Sequence, residues 1–316
     1  MRLIHSVVPV TAVGALLLAA CGSSSSTTAV SGASAKQATI QSLQKFSTTS
    51  VKYDLDGKVT IDSSKLQGIS SDTLHQITGA LGGASGVTLT GTGEQESQKR
   101  SSVTLSVKPL VTQTVTAVTY DGEFFYSVDG GKTFGTGGSL SSLTGGFGVT
   151  PDQSQQLFSA LPDGSYSDKG QTQMDGLTVE HYSAAITKDQ LLQAISGAST
   201  STGSQQQQNL ALIQQFITAG TSSVDAYVRT DNGQLDRYTA NINFGFDLGK
   251  LIQAFAGVGS SSSAASGSGA PSGSLGIGIN LAVHLHDYGA SITITKPTAD
   301  PNAPKLPSGL GGLFGG

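Results

Sequence analysis

Two long segments in the C-terminal third of the chain carry an apolar residue at every second position, with mostly polar or small residues between. The first places five apolar side chains on one face: Tyr238, Ala240, Ile242, Phe244 and Phe246. The second does the same with Ile277, Ile279, Leu281, Val283 and Leu285. Because successive side chains of a strand point to opposite faces, each segment predicts a β-strand with one apolar and one solvated face. Such a sheet needs a cover on its apolar face.

Shorter segments with the same pattern predict more strands of an antiparallel sheet. They are residues 51–61, 87–96, 100–107, 113–120, 123–128, 177–186, 224–229 and 290–295. Helical periodicity marks residues 36–49, 71–81, 151–161, 188–195, 209–219 and 248–255. The predicted class is α+β. A strand, a short helix, a Gly/Ser-rich stretch and a strand occur at 51–96 and again at 238–286, which hints at two related halves of one sheet.

The first twenty residues have the pattern of a secretory signal peptide. Arg2 supplies a positive charge, and residues 7–20 are uncharged and mostly apolar, a run shorter than the roughly 20 residues that span a membrane. Leu18-Ala19-Ala20-Cys21 resembles the lipobox of bacterial lipoproteins, in which the cysteine is lipidated and becomes the first residue. Cys21 is the only cysteine of the chain. The alternative is an ordinary signal peptide followed by a chance cysteine.

We therefore expect a chain of four parts. Residues 1–20 are a signal peptide, and residues 21–35 are a lipidated, flexible tether of small polar residues. A folded domain follows over 36–295, interrupted by a low-complexity Gly/Ser/Ala loop at 257–273. Residues 296–316 contain four prolines and five glycines and are expected to be disordered. The expected location is the outer face of the cell membrane.

The charge balance bears on the class of partner. Only 12% of residues are charged, with 17 basic against 21 acidic side chains and a net charge of −4. Binding to nucleic acid depends on clustered basic residues that neutralise phosphates, and the chain has no such cluster. Nucleic acid is therefore excluded as a partner.

Two pairs of polar residues share a strand face and have side chains that can act as metal ligands or paired carboxylates. His284 and His286 share one strand face and would need Asp287 or His181 to complete a metal site, so two surface histidines are the favoured interpretation. Asp54 and Asp56 likewise share a face and are interpreted as solvated carboxylates beside a turn.

Two short motifs resemble fragments of known active sites. Gly131-Lys132-Thr133 lacks the glycine that a phosphate-binding loop has five residues earlier, so a hairpin turn at Asp129-Gly130 is favoured. Ser42-Leu43-Gln44-Lys45 has the Ser-x-x-Lys spacing without its partner motifs. We expect no catalytic set, no cofactor and no metal, and therefore a protein that is not an enzyme.

A succession of loose motifs carries a family resemblance. In order they are residues 18–21, 51–57 (Val-Lys-Tyr-Asp-Leu-Asp-Gly), 120–126 (Tyr-Asp-Gly-Glu-Phe-Phe-Tyr), 177–182 (Leu-Thr-Val-Glu-His-Tyr) and 224–229 (Val-Asp-Ala-Tyr-Val-Arg), leading through Asp231-Asn232-Gly233 to Leu235. This order is similar to the LolA-like lipoprotein superfamily, in particular its actinobacterial LppX and LprG branch. The resemblance implies a curved, half-barrel antiparallel sheet with helices packed on its concave face, and a lipid or lipoglycan held between sheet and helices.

The cover of the apolar face leaves two functions open. Helices that leave a cavity predict a membrane-anchored carrier of a lipidic ligand, passing it to an envelope partner not yet identified. Helices that fill the space completely predict a non-enzymatic structural or interaction lipoprotein of the cell envelope. Periodicity alone favours ordinary packing, and the resemblance favours the cavity. The residues expected to line a cavity are Leu105, Tyr238, Ile242, Phe244, Ile279, Leu281 and Val283.

Overall fold

The structure is a computed structural model that describes residues 32–67, 86–109, 114–136, 155, 158–190, 217–218, 220–247, 250 and 273–304. One long helix, α1 (Gly32–Thr48), precedes the sheet. The strands are β1 (Val51–Asp62), β2 (Val87–Ser97), β3 (Arg100–Lys108), β4 (Val115–Tyr120), β5 (Glu123–Ser127), β6 (Gly135–Thr136), β7 (Tyr166–Met174), β8 (Leu177–Ile186), β9 (Ile217–Thr218), β10 (Ser222–Arg229), β11 (Leu235–Asp247) and β12 (Ser274–His286). A single 3₁₀ turn, Asp163–Ser165, leads into β7.

The twelve described strands form one antiparallel sheet. Its order is β6-β5-β4-β3-β2-β1-β12-β11-β10-β8-β7, with β9 paired to β11 outside this path. Strands β6 and β7 are the two edges, so the curved sheet is not closed. The predicted half-barrel of the α+β class is confirmed.

The pairing of β1 with β12 joins two meanders, β1–β6 and β7–β12, at the centre of the sheet. Their register places apolar beside apolar, since Leu55 is opposite Val283, and polar beside polar, since Asp54 is opposite His284. A slip by one residue would turn every apolar side chain to the other face. The alternating pattern of the two strands thus determines how the two halves of the chain meet.

The similar succession of elements at 51–96 and 238–286 has a counterpart in this topology. The pair β1 and β2 and the pair β11 and β12 together form the four central strands. Asp62, at the end of β1, is opposite Gly276, and Asp247, at the end of β11, is opposite Ser274. Both long connections between paired strands therefore leave the sheet at the same end.

Helix α1 packs on the apolar side of the sheet, against β7, β8, β10 and β11. Its anchors, Leu43 and Phe46, are buried in the core shared with the strands. Gln95 of β2 donates its side-chain amide to the carbonyls of Phe46 and Ser47 at 3.0 and 3.3 Å, which satisfies carbonyls that the last turn leaves without partners. The helix predicted over 36–49 is confirmed.

The helix begins four residues before the predicted start. Gly32 to Ala35, expected to belong to the tether, form its first turn, and Ala35 is fully buried. The small side chains of this turn permit close packing, which composition alone does not distinguish from a flexible linker. In the described part of the chain, no helix is long and apolar enough to cross a membrane.

Residues 290–295 are extended but do not form the expected strand of the sheet. Ile294 instead packs on Val118 and Phe125, and its amide donates to the Glu96 carboxylate at 2.8 Å. Residues 296–304 continue this contact. They include Lys296, whose ammonium lies 2.7 Å from the Glu123 carboxylate.

The folded part therefore extends beyond residue 295. The reason is an apolar patch that β4 and β5 carry on the outer face of the sheet and that this segment covers. The prolines of residues 296–304, read from the sequence as a sign of disorder, are compatible with an extended segment that forms no ladder of hydrogen bonds.

Several predicted segments lie outside the described residues. They are the signal peptide and Cys21, the helix at 71–81, most of the helices at 151–161, 188–195, 209–219 and 248–255, the loop at 257–272 and the tail beyond residue 304. The helix predicted over 209–219 is wrong at Ile217 and Thr218, which pair with β11 as strand β9.

Candidate functional site

One face of the sheet, hereafter the apolar face, carries a continuous row of apolar residues across eight neighbouring strands. The pairing register places the members of one such row side by side: Val115, Leu105, Gly91, Leu55, Val283, Tyr238, Ala226 and Tyr182. The opposite face, hereafter the polar face, carries mainly charged and hydroxyl side chains. The two faces therefore differ in chemistry over most of the width of the sheet.

All seven residues predicted to line a cavity lie on the apolar face. Tyr238 is opposite Val283 and Ile242 is opposite Ile279, while Leu105 lies in the row of Val283, three strands away. Five of the seven are buried, with exposures of 2–6%: Leu105, Tyr238, Ile242, Leu281 and Val283. Phe244 and Ile279 are only partly buried. The structure brings the seven onto one surface.

Burial of the apolar face decreases from the end that α1 covers toward the other end of the long strands. On β12, Leu285 is 0% and Val283 2% exposed, whereas Ile279 and Ile277 are partly exposed; Leu275, at the start of the strand, is buried again at 4%. Along β1 and β11, burial decreases toward the same end without this return. The accessible apolar side chains, hereafter the open end, are Val59, Ile61, Phe244, Phe246, Ile277 and Ile279. Helix α1 and the core seal the other end.

Polar groups at the sealed end are neutral or paired. The Tyr53 ring lies against Gly93, where a Cβ would come within 2.2 Å of the ring. Burial holds the pKa of Tyr53 above its ordinary value, and the nearby Tyr238 and Glu94 add to this effect. The phenol therefore stays uncharged. Only glycine at position 93 leaves room for this ring, so the contact depends on both residues.

A carboxylate is buried where the pairing register of β10 and β11 shifts by one residue, between Tyr227 and Val228. Asp236 is fully buried; its Oδ1 accepts a hydrogen bond from Arg229 Nε at 3.0 Å and lies 2.9 Å from Arg229 Nη2 in an ion pair. Among the described residues, its Oδ2 has no hydrogen-bond partner, and it lies 4.0 Å from His284 Nε2. Sequence analysis missed this residue. The available signal was an acidic residue two positions before Tyr238, where the alternation calls for an apolar one.

The histidines considered as metal ligands do not converge. The rings of His284 and His286 are 5.9 Å apart, and His286 lies 3.6 Å from Asp54 and 3.5 Å from Asp287. His181 is on β8, separated from β12 by two strands, and contacts Asp225 at 2.9 Å. Within the described ranges, no group of three or more His, Cys, Asp or Glu side chains is placed to hold a metal ion.

The segment that looks like the end of a phosphate-binding loop is a turn closed on its own carboxylate. Asp129 accepts from the amides of Lys132 and Thr133 at 3.0 and 3.1 Å and from the hydroxyls of Ser127 and Thr133, each at 2.6 Å. These hydrogen bonds hold the pKa of Asp129 well below its ordinary value. The amides that would hold a phosphate already bind Asp129. The segment is a turn between β5 and β6, as predicted.

The Ser-x-x-Lys motif lies on α1. Ser42 is buried and donates to the Thr39 carbonyl at 2.8 Å, while Lys45 reaches the Asn232 carbonyl at 2.8 Å. Each side chain therefore has a structural partner of its own, in agreement with a chance match.

Comparisons with known proteins give similarity at the level of solved structures. The chain is similar to lipoprotein LppX of Mycobacterium tuberculosis, with a TM-score of 0.42 and 11% identity over 83% of this chain and 99% of that chain. It is also similar to LprF from Mycobacterium bovis, with a TM-score of 0.39 and 11% identity over 85% of this chain and 99% of that one.

A LolA superfamily protein from Nitrosomonas europaea matches with a TM-score of 0.25 and 8% identity, over 88% of this chain and 96% of that chain. No protein-family model matches the chain, and no curated protein matches it significantly. LppX and the LolA superfamily, which the sequence resembles, are thus among the structures found.

Proposed function

We propose that the protein is an exported lipoprotein, anchored through Cys21 at the outer face of the cell membrane, which binds a lipidic ligand on the apolar face of its sheet. The observation that carries this proposal is the partial exposure of six apolar side chains at the open end of β1, β11 and β12. Apolar side chains at the open end stay accessible in a sheet whose other end is closely packed. An acyl chain laid across the open end would cover them.

Burial of methylene groups provides the driving force. Each buried methylene contributes about 0.8 kcal/mol, so ten of them amount to on the order of 8 kcal/mol before the entropic cost of association. Such binding requires no catalytic residue, and the protein is proposed to carry its ligand without chemical change. The ligand class is a lipid or a lipoglycan with at least one long acyl chain.

A fully packed, structural lipoprotein is the second candidate. The observation that favours it is the contact around Gly57, where an added Cβ would already meet Leu89 and Leu281 at 3.3 and 3.4 Å. That row has little spare room. The two candidates differ in whether the open end takes up a ligand.

We expect Ile279→Trp to weaken lipid binding at least tenfold. The indole would occupy the open end between Val59 and Ile242, the neighbours of Ile279 on β1 and β11. The measurements are native mass spectrometry of the non-acylated Cys21→Ser protein, for lipid that co-purifies, and titration with a fluorescent long-chain fatty acid. A tenfold change corresponds to about 1.4 kcal/mol of binding free energy.

The matched control is Asn280→Trp, which adds the same bulk one residue further along β12 on the polar face. Binding in this variant should stay within about twofold of the parent protein. If the parent neither co-purifies with lipid nor binds the fatty acid, the carrier function is wrong and the packed, structural candidate takes its place.

A further inference from the structure

The polar face contains a groove that lipid binding does not use. A cavity of about 660 Å³ crosses β11, β12, β1, β2 and β3, and its walls include Asp54, Asp56, Thr90, Thr92, Arg237 and His284. A second cavity of about 310 Å³ adjoins it and shares Asp54, Thr92 and Thr104 with it. Together they form one groove, hereafter the polar groove, on the side of the sheet opposite the open end.

The pairing register explains the depth of the polar groove. Asp56 is flanked by the short side chains of Ala282 on β12 and Thr90 on β2. In the adjacent row, the longer side chains of Arg237 and His284 stand next to each other on β11 and β12. A floor of short side chains beside a wall of long ones produces a groove on a surface that would otherwise be flat.

An ion pair holds one side chain of the wall in place, whereas several polar groups of the groove have no partner among the residues that the structure describes. Arg237 Nη2 contacts the Asp175 carboxylate at 2.6 Å, and Arg237 Nε is buried with no hydrogen-bond partner in the described part of the chain. Among the described residues, Asp56, Thr90 and Thr92 form no hydrogen bond or ion pair through their side chains. The fold itself therefore makes no use of these carboxylate and hydroxyl groups.

We propose that the polar groove binds a neutral oligosaccharide. A sugar hydroxyl both donates and accepts hydrogen bonds, and so matches a surface of carboxylates that only accept, a guanidinium that only donates, and hydroxyls that do both. The cavity volume lies within the range of about 300–1,000 Å³ that is usual for small-molecule sites. Lipid binding on the other face is not required for this proposal.

The charges of the groove separate a neutral saccharide from other ligands. Three carboxylates, Asp54, Asp56 and Glu94, outnumber the two cations Arg237 and Lys52 among its permanently charged walls, which disfavours phosphates and uronic acids. An acyl chain would leave these polar groups without partners, at a cost in free energy. Beside Arg237, next to the groove, the partly exposed rings of Tyr227 and His181 stack 4.5 Å apart, and aromatic rings are suited to contact the apolar face of a sugar ring.

The test is a binding screen of the full-length Cys21→Ser protein against glucose-, galactose-, mannose- and arabinose-based neutral oligosaccharides, with uronic-acid oligosaccharides as the anionic comparison. At least one neutral oligosaccharide should bind, and Ala282→Trp, which fills the floor of the groove, should weaken it at least tenfold. Asn280→Trp, two residues away on the same face, should leave binding within twofold.

Two conservative substitutions test the groove even if the tryptophan variant does not fold. Thr92→Val removes one groove hydroxyl and should weaken binding severalfold, whereas Thr88→Val, on the same strand and face but outside the groove, should not. The source of the saccharide is tested with the best oligosaccharide, free in solution or attached to a lipid in vesicles. A free glycan is the source if both bind equally, and a glycolipid headgroup is the source if the vesicle form binds more tightly.

The proposal is overturned if no neutral oligosaccharide of the screen binds, if Ala282→Trp binds like the parent, or if the uronic-acid series binds more tightly. These outcomes are independent of the lipid carrier function. Ile279→Trp reports on the apolar face and Ala282→Trp on the polar groove, so each variant serves as the control for the other ligand.

Discussion

The Cys21→Ser protein is expected to leave the membrane fraction entirely. If Cys21 carries a diacylglycerol, two acyl chains anchor the chain, and each buried methylene contributes about 0.8 kcal/mol, so two chains hold firmly where one binds only marginally. Serine lacks the thiol to which the lipid is attached. The measurements are membrane fractionation of the producing bacterium and metabolic labelling with radioactive palmitate.

The absence of other cysteines makes this experiment clean, because Cys21 is the only residue of the chain that can form the thioether. The control restores a thiol two residues further on, with Ser23→Cys in the Cys21→Ser background. A lipobox at 18–21 predicts that this variant stays unlabelled. Palmitate incorporation by the Cys21→Ser protein, or a parent protein found only in the soluble fraction, would refute the lipid anchor.

Asp236→Ala is expected to lower the free energy of unfolding by about 3 kcal/mol. The substitution removes the fully buried carboxylate that accepts a hydrogen bond from Arg229 Nε and pairs with the Arg229 guanidinium. The Arg229 guanidinium is only partly exposed, and without Asp236 it loses its counter-charge at the register shift between β10 and β11. Urea denaturation followed by circular dichroism measures the change.

Asp54→Ala is the control for this substitution. Asp54 lies on the same sheet with its side chain 57% exposed, and it pairs with His286 at 3.6 Å. A change of less than about 0.5 kcal/mol is expected there, as for most surface substitutions. Equal effects of the two substitutions would mean that the Asp236–Arg229 pair does not stabilise the fold.

Much of the sheet was predictable because its central strands obey a simple physical rule. A period of two in β11 and β12 assigns each side chain to a face, and burial of one face selects the register. The apolar residues proposed as a binding surface follow directly from this rule. Strand β7 escaped prediction because its residues 167–173 are polar on both faces, as an exposed edge strand permits.

Other features depend on contacts between distant parts of the chain. The polar groove is built by side chains of five strands, and its depth appears only when the register places Ala282 beside Asp56. The C-terminal segment covers Val118 and Phe125, a patch that is apolar on the face where alternation predicts polar residues. Local patterns contain no information about such long-range neighbours.

The claim that the apolar face binds a lipidic ligand is tested most directly by photo-crosslinking. A fatty acid with a diazirine in its acyl chain is bound to the Cys21→Ser protein and irradiated, and the labelled residues are identified by mass spectrometry. Neighbouring residues of β12 point to opposite faces, so Ile279 and Asn280 report on different surfaces. We predict that the labels on the sheet fall on the open end, at positions such as Ile277, Ile279 and Phe244, and that unlabelled fatty acid competes for them. Labels confined to the polar face, or no labelling that competition removes, would contradict the account.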